Sequence, residues 1–600
     1  MHTSALHTFH IPVMGIAFTI DSPIKVAQYG INSVVSIIED NLIEIMRKHY
    51  YKEINEVYIP ITTKEDNYRA RRVCDYLNLV NRIVNEKFAK LKNSAFETSS
   101  DLVKYFEMLP DGNSLKEKYK QLFQLQDPLE KQGLQEELRK EMRPGEIEVN
   151  IMTKVDKVNL KKDGTPIEDG SDALTALKGY AESDLDDSSI IFSAGMNPRL
   201  FNYMEKFDAF DATAWGKFRK KVVIKVSDYR SALIQGKYLA KKGIWVSEFR
   251  IESGLNCGGH AFATQGILLG PILEEFRENR EELAESLFQL YAPAVKKKGL
   301  EFEKPHPIKI TVQGGIGTAA EDEFLRKHYD IDGTGWGTPF LLCPEATTVD
   351  DNTLSLLSKA KEEDVVLSKS SPLGVRFNYL KGNSAELERK ERIAKGSPGS
   401  PCTEKFLVSN TEFTKEPICT ASKKYQKLKL AQLRAADLDP EELKIQEEEV
   451  LSKECLCIGL SNAASKVYEV PFVKKQEAVT ICPGPNIVNF SKVASLKDMT
   501  DHIYGRVDLI NNQNRPHMFV RELQLYVDYL KEQLTTARNL EGRALNGIRD
   551  FASNLSRGIG YYRDLLDKFQ EDMAARIEDG LEEAEKEINL SLEKILVPQT

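Results

Sequence analysis

Two glycine-rich turns, one helix apart, carry the strongest chemical signal in this 600-residue sequence. Glycine has no side chain, so backbone N–H groups in such a turn can approach an anion closely. A helix that begins just after the turn also directs the positive end of its dipole at the anion. A pair at this spacing is typical of the phosphate site between the last two strands of a (β/α)8 barrel. The turns therefore predict a site for the phosphate of a nucleotide-type cofactor, at Gly314, Gly315, Gly317, Gly337 and Thr338.

A histidine follows a third glycine-rich stretch, Ser-Gly-Leu-Asn-Cys-Gly-Gly-His, at residues 253–260. This stretch comes directly after a predicted strand, where barrel enzymes carry their catalytic loops. Gly258 and Gly259 let the backbone pass close to a ligand, and His260 can donate or accept a proton near neutral pH. We expect His260 to be the catalytic acid–base; the alternative is a surface or helix-capping role. Cys257 either touches the substrate or packs.

These motifs, in this order, resemble the nitronate monooxygenase (2-nitropropane dioxygenase) family, which includes flavin-dependent enoyl-acyl-carrier-protein reductases. The resemblance covers about residues 11–38 and 146–350, and it rests on GLNCGGH, VQGGIGTA and DGTGWGTPFLLCPEAT. The chain would be an enlarged and divergent member. Val13-Met14-Gly15 lacks the family's proline–methionine step, and Asn256-Cys257 replaces its glutamate–alanine.

The resemblance implies an FMN-dependent oxidoreductase with a histidine acid–base. His260 falls on the family's catalytic histidine, and the two glycine turns fall on its FMN phosphate site. The resemblance also places the backbone of Met14 and Gly15, together with Gly258 and Gly259, at the cofactor, and Asn150 beside the flavin. It implies a small-molecule or acyl substrate and allows NAD(P)H as electron donor. The alternative is a catalytically silent barrel that acts as a binding or scaffold protein.

Eight strand candidates must position these residues, and eight parallel strands close a barrel of this type. The sequence therefore predicts an α/β fold, a TIM (β/α)8 barrel with a helical insertion after strand two and a mostly helical C-terminal region. An open doubly wound sheet is the alternative. A helix is predicted over 22–29, and the strands are predicted at 11–18, 33–38, 146–154, 188–192, 222–226, 244–247, 308–312 and 338–342.

Changes in composition divide the chain into five parts. Residues 1–40 hold the first βαβ unit, 41–145 the helical insertion, and 146–380 the rest of the FMN-type barrel. Residues 381–490 form an irregular, cysteine-bearing region, with one charged helix predicted over 428–453. Residues 491–600 are helical and end in an amphipathic stripe that contains Ile577, Leu581, Ala584 and Ile588. This stripe needs a partner surface, so we expect it to pack on the barrel or to support a homo-oligomer.

The composition and net charge of the chain argue against several classes of function. A net charge of −9 argues against a nucleic-acid-binding protein. No apolar run approaches the roughly 20 residues of a membrane span, and the N-terminus does not resemble a secretion signal. We therefore expect neither nucleic acid nor membrane as a partner, and a cytoplasmic location.

The eight cysteines are unevenly spaced and do not resemble a secreted disulfide framework. Four thiolates for zinc or an iron–sulfur cluster could come from Cys402, Cys419, Cys455, Cys457 and Cys482. No CxxC pair is present, however, so buried structural cysteines and no metal are the favoured interpretation.

Overall fold

A computed structural model of the chain describes residues 6–37, 40–152, 156–161, 163–193, 195–257, 265–470, 473, 476–536 and 542–596. Within these residues, eight parallel strands close into a barrel in the order β1-β10-β9-β8-β7-β4-β3-β2. Four further strands form two small antiparallel pairs outside it, β5 with β6 and β11 with β12. The strands are β1 Phe9–Ile11, β2 Asn32–Ile37, β3 Ile147–Ile151, β4 Ser188–Phe192, β5 Ala212–Ala214, β6 Lys217–Phe218, β7 Lys220–Val226, β8 Val246–Glu252, β9 Lys309–Gln313, β10 Gly333–Gly335, β11 Val365–Ser368 and β12 Phe377–Leu380.

The first and last barrel strands close the ring through parallel pairing. Phe9 lies opposite Thr334 and His10 opposite Gly335, while His10 also lies opposite Asn32 on β2. Parallel strands can be joined only by crossover connections, and helices on the outside supply them here. The predicted fold class, a (β/α)8-type barrel with a helical C-terminal region, is confirmed.

Two of the predicted strands are wrong in position. The last barrel strand is Gly333–Gly335, and the segment predicted as strand eight, Thr338–Leu342, is instead a 3-10 helix. Pro339 explains the difference, because proline has no N–H for a ladder and its fixed φ suits a first helical turn. The first strand is likewise Phe9–Ile11, rather than 11–18, and it ends before Pro12.

Helices surround the barrel and fill the insertion after β2. Helices α2 to α6 lie between β2 and β3, where α3 packs along α2 and α7. The helices are α1 Ser22–Val26, α2 Asp40–Glu53, α3 Tyr68–Asn93, α4 Asp101–Met108, α5 Ser114–Gln121, α6 Pro128–Glu141, α7 Asp172–Ala181, α8 Pro198–Tyr203, α9 Tyr229–Ala240, α10 Leu269–Glu278, α11 Arg280–Lys296, α12 Ala319–His328, α13 Asp351–Leu357, α14 Ser384–Ala394, α15 Lys423–Ala435, α16 Pro440–Ser452, α17 Leu456–Gly459, α18 Asn462–Val467, α19 Leu496–Ile503, α20 Met518–Thr536, α21 Arg543–Asp564 and α22 Glu571–Leu596.

The C-terminal helices pack on one another and on the barrel of the same chain. The predicted stripe on α22 is buried against α20 and α21, with Ile577, Leu581 and Ile588 at most 1% exposed. Helix α21 in turn packs on α10, where the Tyr562 hydroxyl accepts the Gly270 N–H at 3.0 Å. The partner surface of the stripe is therefore intramolecular, and a homo-oligomer stays a prediction.

The charged segment 428–453 is two helices rather than one. Helix α15 ends at Ala435 and α16 begins at Pro440, with Asp439 accepting the N–H groups of Glu441 and Glu442 as an N-cap. Proline at the first position of a helix is tolerated, but in the middle of one it would remove a hydrogen bond. None of the helices described is both long and apolar enough to span a bilayer.

Candidate functional site at the C-terminal end of the barrel

Charged residues alternate along β8 and fill the inside of the barrel. Arg250 donates two hydrogen bonds of 3.0 Å to Glu148 across the barrel and one of 2.8 Å to Glu248. Burial alone would raise the pKa of Glu248, but the Arg250 guanidinium more than offsets this and holds the pKa below its ordinary value. Burial lowers the pKa of the neighbouring His10 to about 3, so this imidazole is neutral. The buried charges are paired, which is the condition for keeping them out of water.

Nearer the C-terminal ends of the strands, Lys225 and Glu252 form a second buried pair at 3.2 Å. The Glu252 carboxylate also accepts hydrogen bonds from the amides of Asn256, at 2.6 Å, and Gln313, at 2.8 Å. Active sites of barrel enzymes are built at this end of the strands. One ammonium and one carboxylate therefore lie where a barrel places its chemistry.

One amide oxygen at this end has no hydrogen-bond partner among the described residues. It is Oδ1 of Asn150 on β3, whose side chain is almost completely buried, whereas the Gln313 side chain on β9 is hydrogen-bonded to the His10 imidazole. Leaving a buried acceptor unpaired costs about 1–3 kcal/mol, so such atoms mark places where a ligand or water would bind. A ring ligand that carries an N–H beside carbonyl groups matches the free Asn150 acceptor and the Lys225 ammonium.

The glycine turn after β9 has the backbone conformation that its glycines predict. Gly314 and Gly315 have φ of 106° and 83°, which is the left-handed region that favours glycine. The space beside this turn is nevertheless filled by the chain itself. A Cβ on Gly315 would lie 2.5 Å from Leu255, and one on Gly317 would lie 2.7 Å from the Arg515 guanidinium.

An internal carboxylate, Glu321, accepts the N–H of Gly317 just before α12. Glu321, 3% exposed, accepts the N–H of Gly317 and the N–H of Met518, each at 2.8 Å. The Arg515 guanidinium donates to the two Glu321 oxygens at 2.6 and 2.9 Å, and to the Gly315 carbonyl at 2.9 Å. Burial raises the pKa of Glu321, but Arg515 more than offsets this and holds the pKa below its ordinary value. Glu321 thus makes the contacts that a phosphate would make.

The second glycine turn is covered by what we call the capping segment, residues 482–518. The Gly484 N–H donates to the Thr338 hydroxyl at 3.0 Å, and Arg515 belongs to the same segment. A Cβ on Gly337 would lie 3.4 Å from both Met14 and Cys257. The Cys257 thiol donates to the carbonyl of Cys482 at 3.5 Å, and burial raises its pKa to about 12, so Cys257 is a neutral packing residue here.

These contacts test whether the residues fit FMN. The free Asn150 oxygen and Lys225 suit a flavin ring, since hydrogen bonds to the ring and a nearby charge are what a protein supplies to it. The phosphate end does not fit, because Leu255, Gly484 and Arg515 fill the space between the two turns and Glu321 accepts the Gly317 N–H. An FMN phosphate could enter only if the capping segment moved.

The predicted site residues thus fall into separate groups. The structure brings Met14, Gly337 and Thr338 together, and it places the first glycine turn against the loop after β8. Gly15 has φ of 109° and packs against Phe18. Gly258, Gly259 and His260 lie outside the described residues, as do 153–155 and 194 in the loops after β3 and β4.

Sequence reasoning missed Lys225, Glu252, Glu321 and Arg515. Charges at every second position of β8, in VSEFRIE, were the signal that one face of a barrel strand is polar and points inward. On β7, Lys225 is a single charge within the apolar run VVIKV. No comparable signal marks Arg515, which lies in an irregular segment far along the chain.

No protein-family model matches the sequence, and no curated protein matches it. Among solved structures, the chain is similar to the enoyl reductase domain of MlnA from the macrolactin biosynthesis cluster of Bacillus amyloliquefaciens. The two are 13% identical, and the match covers 73% of this chain and 88% of that one, with a TM-score of 0.30. At this TM-score the likeness supports no conclusion about function.

Proposed function

We propose that this chain is a flavin-dependent oxidoreductase whose active site lies at the C-terminal end of the barrel. The observation that carries the proposal is the buried Lys225–Glu252 pair with the Gln313 amide, together with the unpaired Asn150 oxygen at the same end of the barrel. The fold has no structural need for a free acceptor there, because it destabilises the protein unless a ligand or water pairs with it. The motif resemblance supports the flavin class.

Each side chain of this group has a defined part to play. Lys225 holds a positive charge where a planar ring would lie, and Glu252 keeps that ammonium in place while it orients the Asn256 and Gln313 amides. Bound flavin would supply the redox chemistry. His260, which follows β8 by eight positions in the sequence, is proposed to hold or release the substrate proton. The substrate is proposed to be a small molecule or an acyl compound, with NAD(P)H as a donor.

A second candidate function rests on the filled phosphate site. Glu321, Arg515 and the capping segment close the glycine turns, which favours a barrel that has lost its cofactor and serves as a binding or scaffold protein. The closed phosphate site and the open ring site predict different ligands. Flavin binding therefore separates the candidates, and a comparison of FMN with riboflavin, which lacks the phosphate, tests whether the phosphate site is used.

The test measures the binding of FMN and of riboflavin to the full-length protein through the quenching of flavin fluorescence. We expect both flavins to bind, with dissociation constants within about tenfold of each other, because the phosphate gains no hydrogen bonds to the closed turn. Each charge-assisted bond would otherwise contribute about 1.5–3 kcal/mol. Asn150→Ala and Lys225→Met should weaken both flavins alike.

Lys221→Met is the matched control, since Lys221 lies on the same strand but pairs with Glu146 at the opposite end of the barrel. It should leave flavin binding unchanged. If neither flavin binds the parent protein, the oxidoreductase proposal is wrong and the silent barrel stands. If FMN binds at least a hundredfold more tightly than riboflavin, the capping segment opens and the phosphate site is used.

A further inference from the structure

A crevice outside the barrel is lined by more cationic than acidic side chains. Residues of α14, of the stretch after α16 and of 476–478 contribute to its walls. Its charged lining consists of Arg389, Arg392, Lys453, Glu388 and Glu454. Most of the other lining residues are small, among them Gly399, Ser400 and Ala421, so side chains leave the crevice open.

Arg389 presents an edge of its guanidinium that has no hydrogen-bond acceptor among the described residues. One N–H of Nη1 donates to the Leu451 carbonyl at 2.9 Å. Nε is buried and makes no hydrogen bond, since the Glu454 carboxylate lies 3.8 Å from it. The Glu386 carboxylate lies 3.9 Å from Nη2, which is also too far. The edge that carries Nε and Nη2 is therefore open.

The two carboxylates that line the crevice already have partners of their own. Glu454 is 4% exposed and accepts the Tyr379 hydroxyl at 2.8 Å and the Thr480 hydroxyl. Burial raises the pKa of Glu454, although these hydroxyls oppose the change. Glu388 forms an ion pair with Arg392, one turn further along α14. Neither acid therefore donates an oxygen to the open edge of the guanidinium.

Lys453 adds a cation that has no carboxylate partner among the described residues. Its ammonium donates to the Lys369 carbonyl at 2.8 Å, and its other N–H groups make no hydrogen bond there. Burial lowers the pKa of Lys453, and the nearby positive charges of Arg376 and Lys369 add to this while Glu449 opposes it. An anion in the crevice would balance this charge.

We propose that this crevice binds the carboxylate group of a small organic acid. The two oxygens of a carboxylate match the Nε–Nη2 edge of an arginine, here Arg389, in a bidentate arrangement. The cavity volume is about 30 Å³, which is room for about two or three water molecules. One carboxylate group therefore fills the cavity while the rest of the acid extends through its open side. The Lys453 ammonium supplies the second positive charge.

The crevice adjoins a stretch of chain that leads to the barrel. Residues 476–478 line the crevice, and the chain continues through Thr480 to the capping segment. The Thr480 N–H donates to the Gly459 carbonyl at 3.0 Å, and its hydroxyl donates to Glu454. A bound acid would therefore stabilise the stretch that precedes the capping segment. The binding site itself does not depend on the proposed flavin chemistry.

The test is calorimetric titration of the full-length protein with succinate, with inorganic phosphate and chloride at equal ionic strength as comparisons. We expect about one succinate site per chain with a dissociation constant of about 1 mM, and weaker binding of the other two anions. No saturable binding of succinate, or phosphate or chloride bound at least as tightly, would overturn the proposal. All three titrations use the parent protein, so no variant has to fold.

Two substitutions and a control then locate the bound acid. Arg389→Lys keeps the charge but removes the bidentate edge, and both it and Lys453→Met should weaken succinate binding at least about tenfold. Lys390→Met, on the same helix but paired with Glu386 outside the crevice, should bind succinate as the parent does. Equal affinities in all four proteins would place the acid elsewhere and refute the assignment.

Amide hydrogen exchange provides a second readout of the same site. Succinate should slow exchange in residues 476–481 of the parent, and it should have no such effect in Arg389→Lys. Unchanged exchange in the parent at saturating succinate would contradict the placement of the acid in this crevice. Flavin binding is measured separately, so its failure and that of the carboxylate site remain distinguishable.

Discussion

Glu522 on α20 ties the C-terminal helices to the barrel through a carboxylate that is 2% exposed. It accepts the Leu269 N–H at 2.8 Å and the Gly254 N–H at 3.3 Å, one at the start of α10 and the other just after β8. Burial raises its pKa from the ordinary value near 4.5 to about 7, although the two N–H groups and the Tyr526 hydroxyl oppose this. The folded protein therefore binds a proton at Glu522 more tightly than the unfolded chain does.

The sign of the pH dependence follows from this difference. The stabilising contribution of the protonated group is fully present below about pH 4.5, and it is lost as the pH rises through about 7. A pKa change from 4.5 to about 7 corresponds to a loss of about 3 kcal/mol in the free energy of unfolding between those two pH values. For a protein of this length that unfolds cooperatively, that loss of free energy lowers the melting temperature by about 2 °C.

The assay is the melting temperature of the parent and of Glu522→Gln at several values between pH 5 and pH 8. The parent should lose about 2 °C more than the variant over this range, because glutamine does not titrate. Asp528→Asn, an exposed site on the same helix, is the control and should follow the parent. Parallel curves for the parent and Glu522→Gln would refute the reasoning.

Two further predictions concern the closed phosphate site and the C-terminal stripe. Glu321→Ala should destabilise the fold by about 3–5 kcal/mol by leaving Arg515 buried without its partner. Inorganic phosphate should raise the melting temperature of this variant, whereas chloride at equal ionic strength should not. An equal increase with phosphate in the parent would contradict this. Leu581→Asp should cost at least about 3 kcal/mol and expose dye-binding surface, because the residue is fully buried. Leu590→Asp on the exposed side of α22 is its control, and equal melting of the two variants would show that the stripe does not hold the helices.

The fold class and the positions of most helices and strands could be predicted from the amino-acid sequence. The strand over 188–192 and the helical turns over 22–29 are found where the pattern predicts them. These features depend on residues close together in the chain, since apolar runs, a proline at a first turn and a terminal glycine act over a few positions. Strand eight shows where such local patterns fail. The apolar run Thr338–Leu342 predicts a strand, but it contains Pro339 and forms a 3-10 helix.

What the glycine turn binds depends on contacts between segments far apart in the chain. Arg515 reaches Glu321 from 194 positions away and Gly315 from 200, and Arg250 meets Glu148 across 102 positions. Glycine spacing shows that backbone N–H groups are accessible, but it does not show which anion takes them. A side chain from a distant segment can accept the same N–H group as a ligand. Which of the two binds there depends on packing rather than on the local sequence pattern.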